Sequence, residues 1–185
     1  MVVQKRLWEK GWTKGTAIQL SVEKGKKTET PRVYTLQVFL TDGPVTKAFA
    51  GKEISRTIQI RGDQTLQALH RAIFKAFDRW EEHLHEFNFG KGPYDRNGPR
   101  YTLASNTRDF MTDEVTAGDV AKTTLESLSL EVGRAFGYWF DFGDDWRHEI
   151  RVGAIESVPP KGRFPKMIAR VGQSPPQYAD PEKLQ

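Results

Sequence analysis

The stretch from 136 to 152, FGYWFDFGDDWRHEIRV, constrains the fold of this chain more than any other. Phe136, Tyr138, Phe140 and Phe142 share one parity before the turn residues Gly143, Asp144 and Asp145. Trp146, His148, Ile150 and Val152 share one parity after them. Apolar alternation at period 2 on both sides of a turn is the pattern of an antiparallel hairpin with one buried face. A three-residue loop of Gly143, Asp144 and Asp145 sets Phe142 opposite Trp146, Phe140 opposite His148 and Tyr138 opposite Ile150, which keeps the aromatic face continuous. The same register sets Asp141 opposite Arg147, a neutralising partner, and Trp139 opposite Glu149. Asp141, Phe142, Gly143, Asp144, Asp145, Trp146 and His148 then form a structural motif, with His148 and two tip carboxylates left over for chemistry.

Upstream, RVYTLQVFL from Arg32 to Leu40 alternates around Tyr34, Leu36, Val38 and Leu40 and ends at Thr41-Asp42-Gly43-Pro44, so it reads as a strand closed by a turn. Arg56 to Arg61 reads as a second, short strand. After Gly62-Asp63, taken as stop and N-cap, Leu66, Leu69, Ile73, Phe74, Phe77 and Trp80 fall on one stripe of a helix of about four turns, which must pack on the sheet. His70, on the edge of that stripe, reads as a satisfied core or boundary histidine. HLHEFNFG, residues 83 to 90, alternates again and puts His83, His85, Phe87 and Phe89 on one side of a strand. The loop GKGPYDRNGPR that follows lacks the G-K-[ST] ending of a phosphate loop, so no nucleotide cofactor is expected. Tyr101 to Ala104 reads as a short strand and Thr124 to Leu130 as one or two turns of helix.

A chain of 185 residues with 37% hydrophobic and 28% charged side chains supports one packed domain. The reading is a basic N-terminal extension (1–30), an α+β core (31–158) and a Pro-rich tail (159–185) on or near the core, marked by Pro159-Pro160 and Pro175-Pro176. The core is expected to be a mostly antiparallel or mixed sheet carrying one long amphipathic helix and the aromatic hairpin. Nothing in the sequence has the length or apolarity of a signal peptide or a membrane span, so the expected setting is cytoplasmic, without a membrane partner. The absence of cysteine removes disulfides, thiolate metal sites and cysteine nucleophiles together.

Two functions fit these residues. The net charge of +4 lies in the first thirty residues, where seven basic side chains face three acidic ones. Lys5, Arg6, Lys10 and Lys14 are candidate phosphate contacts, with Trp8 and Trp12 as candidate stacking platforms; core packing is the competing use of both tryptophans. The first is a non-enzymatic binding module, with nucleic acid or a protein as partner and no cofactor. The alternative is a metal-dependent hydrolase or nuclease in which His83, His85 and His148, with Asp141, hold a divalent metal in a three-ligand site with an open position. Catalytic residues are otherwise not assignable. An EF-hand is excluded because Gly143 and Trp146 occupy positions that need an oxygen ligand and a glycine, and the Asp-Phe-Gly triplet lacks every other kinase element.

The runs R-T-I-Q-I (56–60), T-L-Q-A-L-H (65–70), A-F (76–77), H-L-H-E-F (83–87) and Y-W-F-D-F-G-D-D-W-R-H-E-I (138–150) resemble the plasmid pRiA4b ORF-3-like family over about residues 31 to 178. The resemblance implies an α+β fold with a helix on a sheet. It also implies a bacterial or archaeal setting linked to mobile elements, where members appear as passenger proteins of insertion elements. It implies no catalytic residues. The family's acidic P-P-E-D segment is here Pro175-Pro176-Gln177-Tyr178, so a mechanism that needs a carboxylate at that place is disfavoured.

Overall fold

In the computed structural model, which describes residues 30–93, 95, 97–103, 117–157 and 161–178, the alternating segments pair into one eight-stranded sheet. The strands are β1 (Val33–Asp42), β2 (Ser55–Arg61), β3 (His85–Asn88), β4 (Arg100–Thr102), β5 (Gly118–Asp119), β6 (Ala135–Phe140), β7 (Trp146–Glu156) and β8 (Lys166–Val171). They lie in the order β5-β4-β3-β6-β7-β1-β2-β8, antiparallel except for the β4–β5 pair. Tyr34, Leu36 and Val38, Ile58 and Ile60, Phe136, Tyr138 and Phe140, and Trp146, Ile150 and Val152 all bury on one face. Gln37, Arg147, Glu149 and Arg151 alternate to the other face, as expected of an antiparallel sheet with one solvated side. No helix among the described residues is long and apolar enough to cross a membrane.

One helix, α1 (Leu66–Ala76), covers the apolar face through Leu66, Leu69, Ile73 and Ala76. Its N-cap is Thr65, whose hydroxyl accepts the Ala68 amide at 3.3 Å; Asp63 instead pairs with Arg61. The expected α+β domain with a long amphipathic helix is overturned, because α1 has 11 residues and the described residues form a large mixed sheet with one short α-helix. The stop is local. Asp78 takes a left-handed φ of 58°, its amide donates to Lys75 O at 3.2 Å, and the Arg79 amide donates to Phe74 O at 3.0 Å. Those two bonds close a Schellman turn, a role that glycine usually fills. Trp80 therefore leaves the helical stripe and stands 69% exposed.

On β2 the core-facing parity carries an arginine. Arg56 is 1% exposed, and its Nε donates to Ala76 O at 2.8 Å, where the helix leaves carbonyls without partners. Its Nη1 reaches the carbonyls of Val171 (2.8 Å) and Gly172 (3.2 Å), and Nη2 donates to the Ser174 hydroxyl at 2.7 Å. The guanidinium also lies 4.8 Å from the Phe77 ring centroid. Residues 166–171, placed in the tail by sequence, thus form the edge strand β8, which Arg56 and Arg170 tie to the helix end. Arg170 grips Asp78 at 2.8 and 3.0 Å and donates to Ala76 O at 3.1 Å.

Arg56→Leu keeps the side chain buried but leaves the carbonyls of Ala76 and Val171 without that donor. It is expected to lower the unfolding free energy in urea by about 2–4 kcal/mol. Arg151→Leu on the solvated face is expected to change it by less than about 0.5 kcal/mol.

Candidate functional site

The left-handed turn at Asp78 sends residues 79–84 to the end of the sheet where the β6–β7 tip lies, and Asp141 N donates to Leu84 O at 2.9 Å. The hairpin keeps the expected aromatic face but not the expected register. Phe140 pairs with Trp146, Trp139 with Arg147 and Tyr138 with His148, so the loop is the five residues Asp141 to Asp145. Its own polar groups cause the shift. Asp141 and Asp145 adopt φ of 56° and 59°, the Asp145 amide donates to Asp141 O at 2.7 Å, and the Asp141 carboxylate accepts from the amides of Gly143 (3.2 Å) and Asp144 (3.3 Å). A slip of two residues preserves parity, so the core loses nothing except Phe142, which packs on Trp139 outside the sheet with ring centroids 4.3 Å apart. Arg147 pairs with Asp145 at 2.8 Å in place of the expected Asp141.

The tail closes this corner. Gln177 is 2% exposed; its Oε1 accepts the amides of Trp80 (3.0 Å) and Glu81 (3.1 Å), and its Nε2 donates to Glu81 O at 2.8 Å. A carboxylate at this position could accept the two amides but not make the third bond. Tyr178 then stands edge-on to Trp80, with centroids 5.5 Å apart, and its hydroxyl lies 2.8 Å from His83 Nε2. Carboxylates surround the aromatic pair. Partial desolvation, then the hydrogen bond and charge of Glu81, with Asp141 and Asp144 further off, push the Tyr178 phenol up to about 12. Asp144 is itself raised by burial and by Asp141, against the pull of His83 and Arg79.

Behind the corner lies a buried polar layer. His70 and His85 stack with ring centroids 3.6 Å apart and planes 3° from parallel. His70 Nε2 is 2.9 Å from a Glu82 carboxylate oxygen and Nδ1 is 2.8 Å from the Tyr138 hydroxyl. The carboxylate can only accept, so Nε2–H donates to Glu82 and Nδ1 accepts the Tyr138 O–H. His148 sits edge-on to Phe77 at 4.8 Å. Burial, with Arg71 adding to it, lowers His70 to about 4; burial and then His70 lower His85 to about 3; burial and then Arg79 lower His148 to about 3. All three are neutral at physiological pH.

Of the proposed metal ligands, the structure brings His83 and Asp141 together, at 3.6 Å, near the surface. His85 and His148 are buried apart from them, on β3 and β7 with β6 between. Among the described residues no group of three or more His, Cys, Asp or Glu is arranged to hold a metal ion. Lys5, Arg6, Trp8, Lys10, Trp12 and Lys14 lie outside the described residues. Arg79 escaped the sequence reading, which placed Trp80 on the helical stripe and met Gln177-Tyr178 only as a departure from the family's pattern, because what distinguishes these residues is contact between segments about a hundred positions apart.

The model of the family described as plasmid pRiA4b ORF-3-like protein matches residues 33–180. A crystal structure of a protein of unknown function from Methanosarcina mazei Go1 shares the fold, with a TM-score of 0.58 and 22% identity over 80% of this chain and 74% of that one. No curated protein matches the chain.

The three neutral histidines set a pH dependence. Unfolded imidazoles titrate near 6.5, whereas His70, His85 and His148 stay unprotonated down to about 4 and 3. Between these values the unfolded state holds more protons, so stability present above pH 6.5 is lost as pH falls and levels off below the folded values. His148→Leu is expected to reduce the slope of unfolding free energy between pH 4 and 6 by about 1.4 kcal/mol per pH unit, one proton's worth. Denaturant titrations of both proteins across that range measure it, and the carboxylates contribute to both alike.

Proposed function

Since the chain belongs to the plasmid pRiA4b ORF-3-like protein family, we propose that it is a non-enzymatic binding module that accompanies a mobile element and recognises a protein partner through the Trp80 corner. The observation that carries this reading is an aromatic that is exposed and yet held. Trp80 is 69% exposed, but its backbone is fixed by Gln177 and its ring by Tyr178. Exposed aromatics on a preorganised backbone lose little entropy on binding and are typical interface anchors. Leu84 (47%), Tyr178 (42%) and Phe142 (40%) extend the apolar surface. Glu81, Glu82, Asp141 and Asp144 make its surroundings acidic, which favours a segment rich in lysine or arginine over a phosphate backbone. His85 and His148, buried and neutral, serve this reading as packing groups.

Nucleic acid is a second reading, favoured by a separate observation: seven basic against three acidic residues in the first thirty. There Lys5, Arg6, Lys10 and Lys14 contact phosphates, and Trp8 or Trp12 stacks on exposed bases.

Both readings are tested on the full chain. Binding of a lysine- and arginine-rich peptide, followed calorimetrically, is expected to weaken about tenfold or more in Trp80→Ala. Binding of labelled DNA or RNA, followed by anisotropy, is expected to fall steeply with salt and to disappear when Lys5, Arg6, Lys10 and Lys14 are changed together to glutamate. Peptide affinity unchanged in Trp80→Ala removes the corner as the interface; nucleic-acid affinity unchanged in the charge variant removes the second reading.

A further inference from the structure

Arg79, next to the exposed tryptophan, is itself buried, with 7% of its surface exposed. Its guanidinium stacks on the Trp146 indole, Cζ lying 3.7 Å from the ring centroid. Stacking occupies the face of the guanidinium and leaves its five N–H groups in the plane. Nη1 donates to Pro175 O at 3.2 Å, whereas Nε and Nη2 have no hydrogen-bond partner among the described residues. Nε–H and the neighbouring Nη2–H point the same way and form the two-pronged edge by which arginine grips a carboxylate or a phosphate.

Among the described residues no carboxylate lies within ion-pair distance of the Arg79 guanidinium: Asp78 is held by Arg170, and Asp144 acts on it only from further off. Burial lowers its pKa to about 10, so it keeps its charge at neutral pH. A buried charge left uncompensated is strongly unfavourable, and in native proteins such groups are paired or hold a ligand. Beside the guanidinium, Trp146 Nε1 also lacks a partner among the described residues, and Phe77, edge-on to His148, adds an apolar wall. Trp146 and His148 alternate on the same face of β7, so all these groups belong to one layer beneath the Pro175–Tyr178 tail.

We infer that the Nε/Nη2 edge of Arg79, lying on Trp146 and rimmed by the Pro175 carbonyl, is a seat for an oxyanion, either a carboxylate or a phosphoryl group. Arg79 supplies two parallel donors and the charge, and the indole fixes the plane in which they point. The competing occupant is water, which satisfies the donors but not the charge. The seat stands independently of the partner-binding reading, and its test does not use Trp80.

The full-length protein is titrated with sodium phosphate and, separately, with sodium acetate, chloride keeping the ionic strength constant. The readouts are Tm and the Arg79 Nε–H resonance in 15N-edited spectra, assigned by its loss in Arg79→Lys. At least one anion is expected to raise Tm saturably by a few degrees and to shift the resonance with the same midpoint. A response to phosphate alone assigns a phosphoryl ligand, and a response to acetate assigns a carboxylate. Arg79→Lys, which keeps the charge and loses the paired edge, is expected to weaken the thermal response at least tenfold. A resonance that does not move in up to about 50 mM of either anion, a concentration at which even millimolar affinity saturates, overturns the proposal in favour of water. A thermal response equal in Arg79→Lys overturns it as well, and if that variant does not fold, the wild-type resonance titration decides.

Discussion

The Arg56 guanidinium is the interaction on which the rest of the arrangement depends. A charged side chain on the core-facing parity of a strand is tolerable only if its donors find acceptors, and here three different segments supply them. The helix end, the edge strand β8 and the start of the tail each supply an oxygen, so one buried group fixes where all three stop. Arg170 and Asp78 repeat the tie from the solvent side. With the helix end and the tail fixed relative to β2, the segment between Asp78 and Leu84 is stretched across the β6–β7 tip, and Gln177 falls opposite its amides.

The core is accordingly more polar than its sheet architecture requires. His70, His85, Tyr138 and His148 occupy positions that aliphatic residues would fill at lower desolvation cost. The histidine stack and the Glu82–His70–Tyr138 chain place directional bonds where apolar packing would allow sliding. Such groups select one arrangement of α1 on β3 and β6 rather than adding stability. Their neutrality above pH 6.5 is part of that selection.

Parity was legible in the sequence wherever it was strong: β1, β2, β6 and β7 lie where alternation puts them, and apart from Phe142 the buried aromatic face is the one the pattern names. What stayed hidden traces to aspartates doing the work of glycine. Asp78 ends the helix a turn early, and Asp141 and Asp145 open the hairpin loop from three residues to five. An aspartate in the left-handed region is uncommon and leaves no trace in hydrophobic periodicity. Arg56 was invisible for the opposite reason, since a charged residue in an inward position reads as the start of a strand rather than as its anchor. The corner was the least legible part, because Gln177 with Glu81 and Arg79 with Trp146 are contacts between distant segments. Among the proposed ligands, His83 and Asp141 meet, while the burial of His85 and His148 follows from strand order, which the sequence does not display.

Residues 79–84 form an ordered surface held from the tail, although they belong to no strand or helix. Hydrogen exchange at the Trp80 and Glu81 amides tests it most directly, since both are bonded to Gln177 Oε1. Protection within about one to two kcal/mol of the β2 and β7 amides is the predicted result. Exchange of both at unprotected-chain rates, while the sheet stays protected, would mean that the tail does not hold this segment.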